Sequence, residues 1–118
     1  MPWVRSNKKG SGGEIIETVL VDVSSSTTAW ASPLSFPSFN LSDYDYIKIE
    51  GTSVMDGYWS INPIFDVEDI PITDSAGNGC MSIGGSAFIG NVNNTLYIWT
   101  STGKQTTVNK ITGMNKGG

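Results

Sequence analysis

The sequence predicts an all-β protein: a single β-sandwich (jelly-roll-like) or small barrel of seven to eight short antiparallel strands, with a flexible N-terminal tail. Three observations lead there. Charged residues make up 15% of the 118-residue chain and apolar ones 38%, a charge fraction below the usual quarter; Gly, Ser, Thr and Asn fill the difference and favour turns and strands over helices. Short β-branched or aromatic runs recur every ~8–14 residues between turn-forming clusters. No segment of helical length carries the 3.6-residue apolar period. A chain of this size buries roughly two-thirds of the surface its unfolded form exposes, which suits one core.

The expected domain spans residues 14–114, behind a tether over 1–13 and ahead of a disordered tail over 115–118. "KKGSGG" has the composition of a flexible linker. The apolar pair Trp3 and Val4 precedes it, and Trp3, Arg5, Lys8 and Lys9 make a candidate anchoring tail. "EIIETVLVDVSSS" (14–26) is the clearest strand, β-branched, then alternating, and ended by serines. Residues 27–42 are broken by Pro33 and Pro37, which cannot donate to a central ladder. The expectation there is a loop carrying Trp30, then an edge strand with Phe36 and Phe39 as core anchors. "YDYIKIEG" follows as a regular strand. Its alternation turns Ile47 and Ile49 to the core and Tyr44 and Tyr46 outward, toward a symmetry mate or ligand.

"GYWSINPIFDV" (57–67) is a further strand, interrupted near Pro63. Gly77-Asn78-Gly79 makes a turn before a short strand over 80–83. "AFIGNV", "TLYIWTS" and "TTVNKITGM" complete the series, with "NVNN" and "STGK" as hairpin turns. No apolar run approaches the ~18 residues of a membrane helix, and the first residues lack the apolar core of a secretory signal. Neither membrane insertion nor secretion is expected.

The net charge of −4 hides a sharper distribution. Arg5, Lys8 and Lys9 precede residue 10, and Lys104, Lys110 and Lys116 follow residue 103. Between those positions eleven acids face Lys48 alone, a local balance of −10. A nucleic-acid binder needs the opposite sign on its folded body. The pattern suits either repulsion that keeps copies dispersed, or an acidic body whose basic ends hold neighbouring chains.

Histidine is absent. That removes the commonest general base, the commonest zinc ligand and every Ser-His or Cys-His nucleophile pair, so no enzyme, catalytic residue, metal or cofactor is expected. The single cysteine, Cys80, can form no internal disulfide and reads as a small buried side chain in a strand. Two acidic clusters, Asp66, Glu68 and Asp69 in "DVED" and Asp43 and Asp45 in "SDYDY", read as solvated turn carboxylates. Calcium ligation or a glycosidase pair would use the same groups, but the D-x-D-x-D-G loop is missing and a chain this small seldom builds a deep cleft. "GNG" and "GG" lack the spacings of phosphate-binding loops and precede no helix. The remaining candidates are aromatic: Trp30, Tyr44, Tyr46, Tyr58, Trp59, Tyr97 and Trp99. Core or subunit packing is the first reading of such residues, and a glycan-stacking platform the second.

"NLSDYDYIKIEG" resembles the "LS-x-YDYIEIEY" type of segment found in small β-rich tail-fibre and minor structural proteins of bacteriophages. The ending "NKITGMNKGG" is similar to the "PIKIYGIKGG"-like close of those modules, with Ile111-Thr112 where they carry Ile-Tyr. "VDVSSSTTAWASPLSFPSFNLS" fits their opening loop. The resemblance implies a non-enzymatic virion part made in the bacterial host cytoplasm: a tail-fibre, tail-tip, head-fibre or decoration component. It also implies a homo-oligomer, with a trimer favoured, or assembly with other virion proteins, and contact with the host surface or its glycans.

Overall fold

The computed structural model describes residues 14–55 and 57–117; the tether and the candidate anchoring residues Trp3, Arg5, Lys8 and Lys9 lie outside that range. The described chain is all-β, two antiparallel sheets stacked as a sandwich. Nine strands are present among the described residues: β1 (Ile15–Val21), β2 (Ser25–Thr27), β3 (Tyr46–Val54), β4 (Tyr58–Ile61), β5 (Ile64–Asp66), β6 (Met81–Gly84), β7 (Ala87–Val92), β8 (Thr95–Thr100) and β9 (Gln105–Lys116). The expected strand over 57–67 is split at Pro63 into β4 and β5, which follow one another along the same edge of β3. Similarly, β1 and β2 follow one another along one edge of β9. The large sheet is therefore four rows wide, with β9 and β3 in the middle. β6, β7 and β8 form a three-stranded meander as the second layer. Asn93 and Asn94, at φ 51° and 71°, make the two-residue turn between β7 and β8, whose primed geometry matches strand twist.

Ile47, Ile49, Val108 and Ile111 of the large sheet are fully buried against Ala87, Ile89 and Ile98 of the small one. Burial of each Ile or Val is worth ~1.5–3 kcal/mol. Two bulges keep the alternation in phase with this core. β3 pairs Glu50 with Lys110 and then Gly51 with Val108, so Asn109 is an extra residue. Thr106 and Val108 therefore face the core before it, and Ile111 and Gly113 after it. Likewise β1 pairs Val19 with Thr112 and Val21 with Ile111, leaving Leu20 as the extra residue. A bulge reverses the parity of everything beyond it. At one end the interlayer space is filled by hydroxyls: Ser53 Oγ and Ser86 Oγ lie 3.0 Å apart, Thr106 Oγ1 donates to Thr100 Oγ1 at 2.9 Å, and Ser86 Oγ donates to the Val54 carbonyl at 2.7 Å. These groups satisfy one another, as buried polar groups must.

Three expectations need correction. Residues 33–40 form no strand; the prolines leave a loop running along the free edge of β8, held by Leu34 N–H on the Ile98 carbonyl (2.9 Å) and Leu41 N–H on Asn94 (2.9 Å). Phe36 and Phe39 do pack against the core from this loop. Tyr44 does not face outward. The 3-10 turn Leu41–Asp43 precedes it, the ladder begins only at Tyr46, and the Tyr44 ring lies over Gly113, where a Cβ would come within 2.5 Å of it. The ordered chain also passes residue 114: Asn115 and Lys116 continue β9 and pair with Ile16 and Ile15.

Candidate functional site

The fold divides the candidate aromatic residues into three groups. Trp30, Tyr97 and Trp99 belong to a second, smaller core on the outer face of the small sheet. The loop after β2 carries Trp30 across that face, where its ring stacks on Trp99 at 5.7 Å and 12° and meets the edge of Phe88 at 5.3 Å. Its Nε1 donates to the Ala76 carbonyl at 2.8 Å. Gly77, at φ +87°, is required there, because a Cβ would lie 2.5 Å from the Trp30 ring. Under this cover Trp99 is fully buried, and Tyr97 tilts against it at 5.6 Å. These rings are occupied with one another. A shallow groove of about 340 Å³ runs beside them, lined by Pro33, Phe36, Ser38 and Tyr97 among others.

Tyr44 and Tyr46 form the second group. Tyr44 packs on the core edge-to-face with Phe39, ring centroids 6.2 Å apart. Tyr46 lies half-buried on the outer face of the large sheet, and the Lys116 ammonium sits 5.8 Å from its ring centre. The alternation places Tyr46 there, beside Met114 of β9 and Asp66 of β5.

Tyr58 and Trp59 remain. They open β4 at the tip of the β3–β4 hairpin and are 77% and 53% exposed, with Met55 across the turn at 49%. Consecutive strand residues point to opposite faces, so the tip is apolar on both sides. Trp59 Cδ1 lies 3.5 Å from where a Cβ on Gly85 would sit, which steadies that ring at the rim of the sandwich. Large apolar side chains crowded at one tip are the kind of exposed patch that marks a contact surface, and two aromatic rings per tip match the composition of interface centres.

The acidic clusters converge on no cleft. Asp66, Glu68 and Asp69 stand exposed around the 3-10 turn Val67–Asp69, and Asp45 uses its Oδ2 to accept the Lys116 amide at 2.9 Å, fixing the end of β9. Among the described residues no three Cys, Asp or Glu side chains gather as metal ligands, and no helix is long and apolar enough to cross a membrane. Cys80 precedes β6 instead of lying in it, and is half-buried; desolvation raises its thiol pKa, which favours the protonated form.

Asp74 caps its own turn, accepting the Asn78 side chain at 2.7 Å and the Ala76 and Asn78 amides at 2.9 and 3.1 Å. The Asn78 side-chain bond, followed by the backbone donors, holds this carboxyl below the ordinary aspartate range. A depressed folded-state pKa gives stability that is present above the unfolded value and lost as pH falls through the folded one. NMR titration should place the Asp74 midpoint below that of an unstructured aspartate. Protection of the Ala76 and Asn78 amides, taken relative to the intrinsic exchange rate at each pH, should fall as Asp74 becomes protonated.

No family model, curated protein or solved structure matches the chain. Of the features described here, the Trp30–Trp99 stack joins residues 69 positions apart in the sequence, and no local pattern could reveal it. The exposure of Tyr58 and Trp59 does have a local signal: Asp56-Gly57 directly precedes them, a pair typical of hairpin turns.

Proposed function

We propose that the chain is a non-enzymatic structural component of a bacteriophage virion, part of a tail fibre, tail tip, head fibre or decoration layer. In this reading, copies associate with one another, and the β3–β4 tip is presented to a further virion protein or to the host surface. The observation that carries the reading is the exposure of Tyr58 and Trp59 at one hairpin tip, while Trp30, Tyr44, Tyr97 and Trp99 serve packing. The compact all-β frame and the acidic body with its basic N-terminal stretch are consistent with a part that works through its surfaces.

Immunogold labelling of phage particles from the strain carrying the gene tests this. Label at a regular position on the virion is expected; particles free of label, with the chain confined to cell debris, contradict it. Glycan binding is the second reading, favoured by the half-exposed Trp59 ring, since flat aromatics stack on sugars. A tryptophan fluorescence change on adding host-surface saccharide, absent in Trp59→Ala, would favour attachment through sugar; an unmoved signal favours a protein partner.

A further inference from the structure

Among the described residues β1 pairs with β9 on one side only, which leaves its other side a long open edge of the large sheet. The Gly117 amide donates to the Glu14 carbonyl at 2.6 Å, and the Asp45 amide on the opposite side of β9 donates to the Met114 carbonyl at 2.9 Å. Antiparallel pairing then directs the amides and carbonyls of Ile15, Glu17 and Val19 away from β9, into the open edge. An edge of this kind is normally blunted by proline, lysine or a covering loop. β1 has a bulge at Leu20 but contains neither proline nor lysine. Its exposed side chains are apolar and acidic: Ile16 is 58% exposed, Val19 51% and, just beyond the strand, Val23 64%. Glu14, Glu17 and Asp22 lie along the same stretch, and no base occurs between Lys9 and Lys48. The edge therefore fits an extended segment that carries both apolar and cationic residues.

One segment of this chain has that chemistry, "WVRSNKK" (3–9). We propose that the β1 edge accepts residues 3–8 of a second copy as an added antiparallel strand. This rests on the assembly reading above and supplies its contact. In the register that matches charge, Trp3 stands opposite Val19, Arg5 opposite Glu17 and Lys8 opposite Glu14. Aromatic–β-branched and opposite-charge pairs are the stabilising cross-strand combinations. The first two pairs lengthen rows already present on the outer face, where Val19 neighbours Thr112 and Glu17 neighbours Met114; Glu14 has the opposite parity and puts the third pair on the other face. Each copy gives one strand and accepts one, so the exchange is either reciprocal within a two-fold pair or head to tail, which closes into a ring where the rotation between copies allows.

Sedimentation analysis of the full chain and two charge-reversed variants tests the proposal. Glu14→Lys with Glu17→Lys makes the edge basic; Arg5→Glu with Lys8→Glu makes the segment acidic. Each variant alone should associate on the order of tenfold more weakly, or not at all, because two attractive pairs become repulsive. The thermal midpoint of the Glu14/Glu17 variant should stay close to the parent's, since both side chains are exposed. An equimolar mixture should recover association as mixed oligomers, since the acidic segment of one variant fits the basic edge of the other. Val19→Pro, which removes an edge-facing amide, should abolish association in either background. Parent-like association by either variant alone, or a mixture that stays dissociated, overturns this inference and leaves the assembly reading standing. A mixture of monomers is also what folding of the segment onto its own β1 would give. A parent chain that is monomeric at every concentration overturns both readings.

Discussion

Replacing Gly51 by alanine is expected to lower stability by about 3 kcal/mol or more, at or above the upper end of the range for overpacked sites. Gly51 lies in the middle of β3 at the point where Asn109 bulges out of β9. A Cβ there would sit 2.0 Å from the Thr107 carbonyl oxygen and 2.9 Å from the Val108 Cα. Both obstacles are backbone, so no side chain can rotate away. Relief requires β3 and β9 to separate across the centre of the large sheet, where the two strands share a nine-residue register. Thermal unfolding should show a drop of roughly 10 °C for a chain of this size. Gly57→Ala is the control: nothing lies within 4 Å of its would-be Cβ, and its midpoint should move by less than ~0.5 kcal/mol equivalent.

Trp99→Ala should cost about 3–5 kcal/mol, the range for removing a fully buried large aromatic. Trp99 faces away from the main core yet has no exposed surface, because Trp30 covers it from a loop. Its removal empties the satellite core between that loop and the small sheet and leaves Trp30 without its stacking partner. Trp30→Ala should cost less, since that ring is half-buried. Near-ultraviolet circular dichroism provides a specific readout. The signal from two stacked indoles should disappear in both single variants, and the double variant should cost less than the sum of the two, as expected for residues in contact.

Much of the fold is legible in the sequence, for identifiable reasons. The alternation from Tyr46 to Ile49 reports one buried sheet face; the β-branched run at 14–21 reports a strand by its residue types alone, since Val21 is its one buried member. Asn93-Asn94 reports its turn because asparagine tolerates positive φ. What cannot be read locally depends on partners distant in sequence. Tyr44 looks like an outward-facing strand residue, but the 3-10 turn before it and the bare backbone of Gly113 draw its ring inward. Around the prolines at 33 and 37 the sequence suggests an edge strand, and the structure has instead a loop along the edge of β8, held by bonds to Ile98 and Asn94 that no local pattern shows. The bulge at Asn109 has no signal beyond one exposed polar residue, although it decides which half of β9 faces the core with even-numbered positions and which with odd. Of the candidate contact residues, Tyr58 and Trp59 keep the exposure a contact requires. Trp99 is equally aromatic and equally alternating in sequence, and its burial is set by Trp30.

The central claim is that this chain acts by associating through its surfaces and not by performing chemistry. Sedimentation equilibrium of the unmodified full-length chain over a wide concentration range tests that claim most directly. A closed oligomer whose mass is a whole-number multiple of the single chain, with three copies favoured, is the expected result. A single-chain mass at the highest attainable concentration would contradict it.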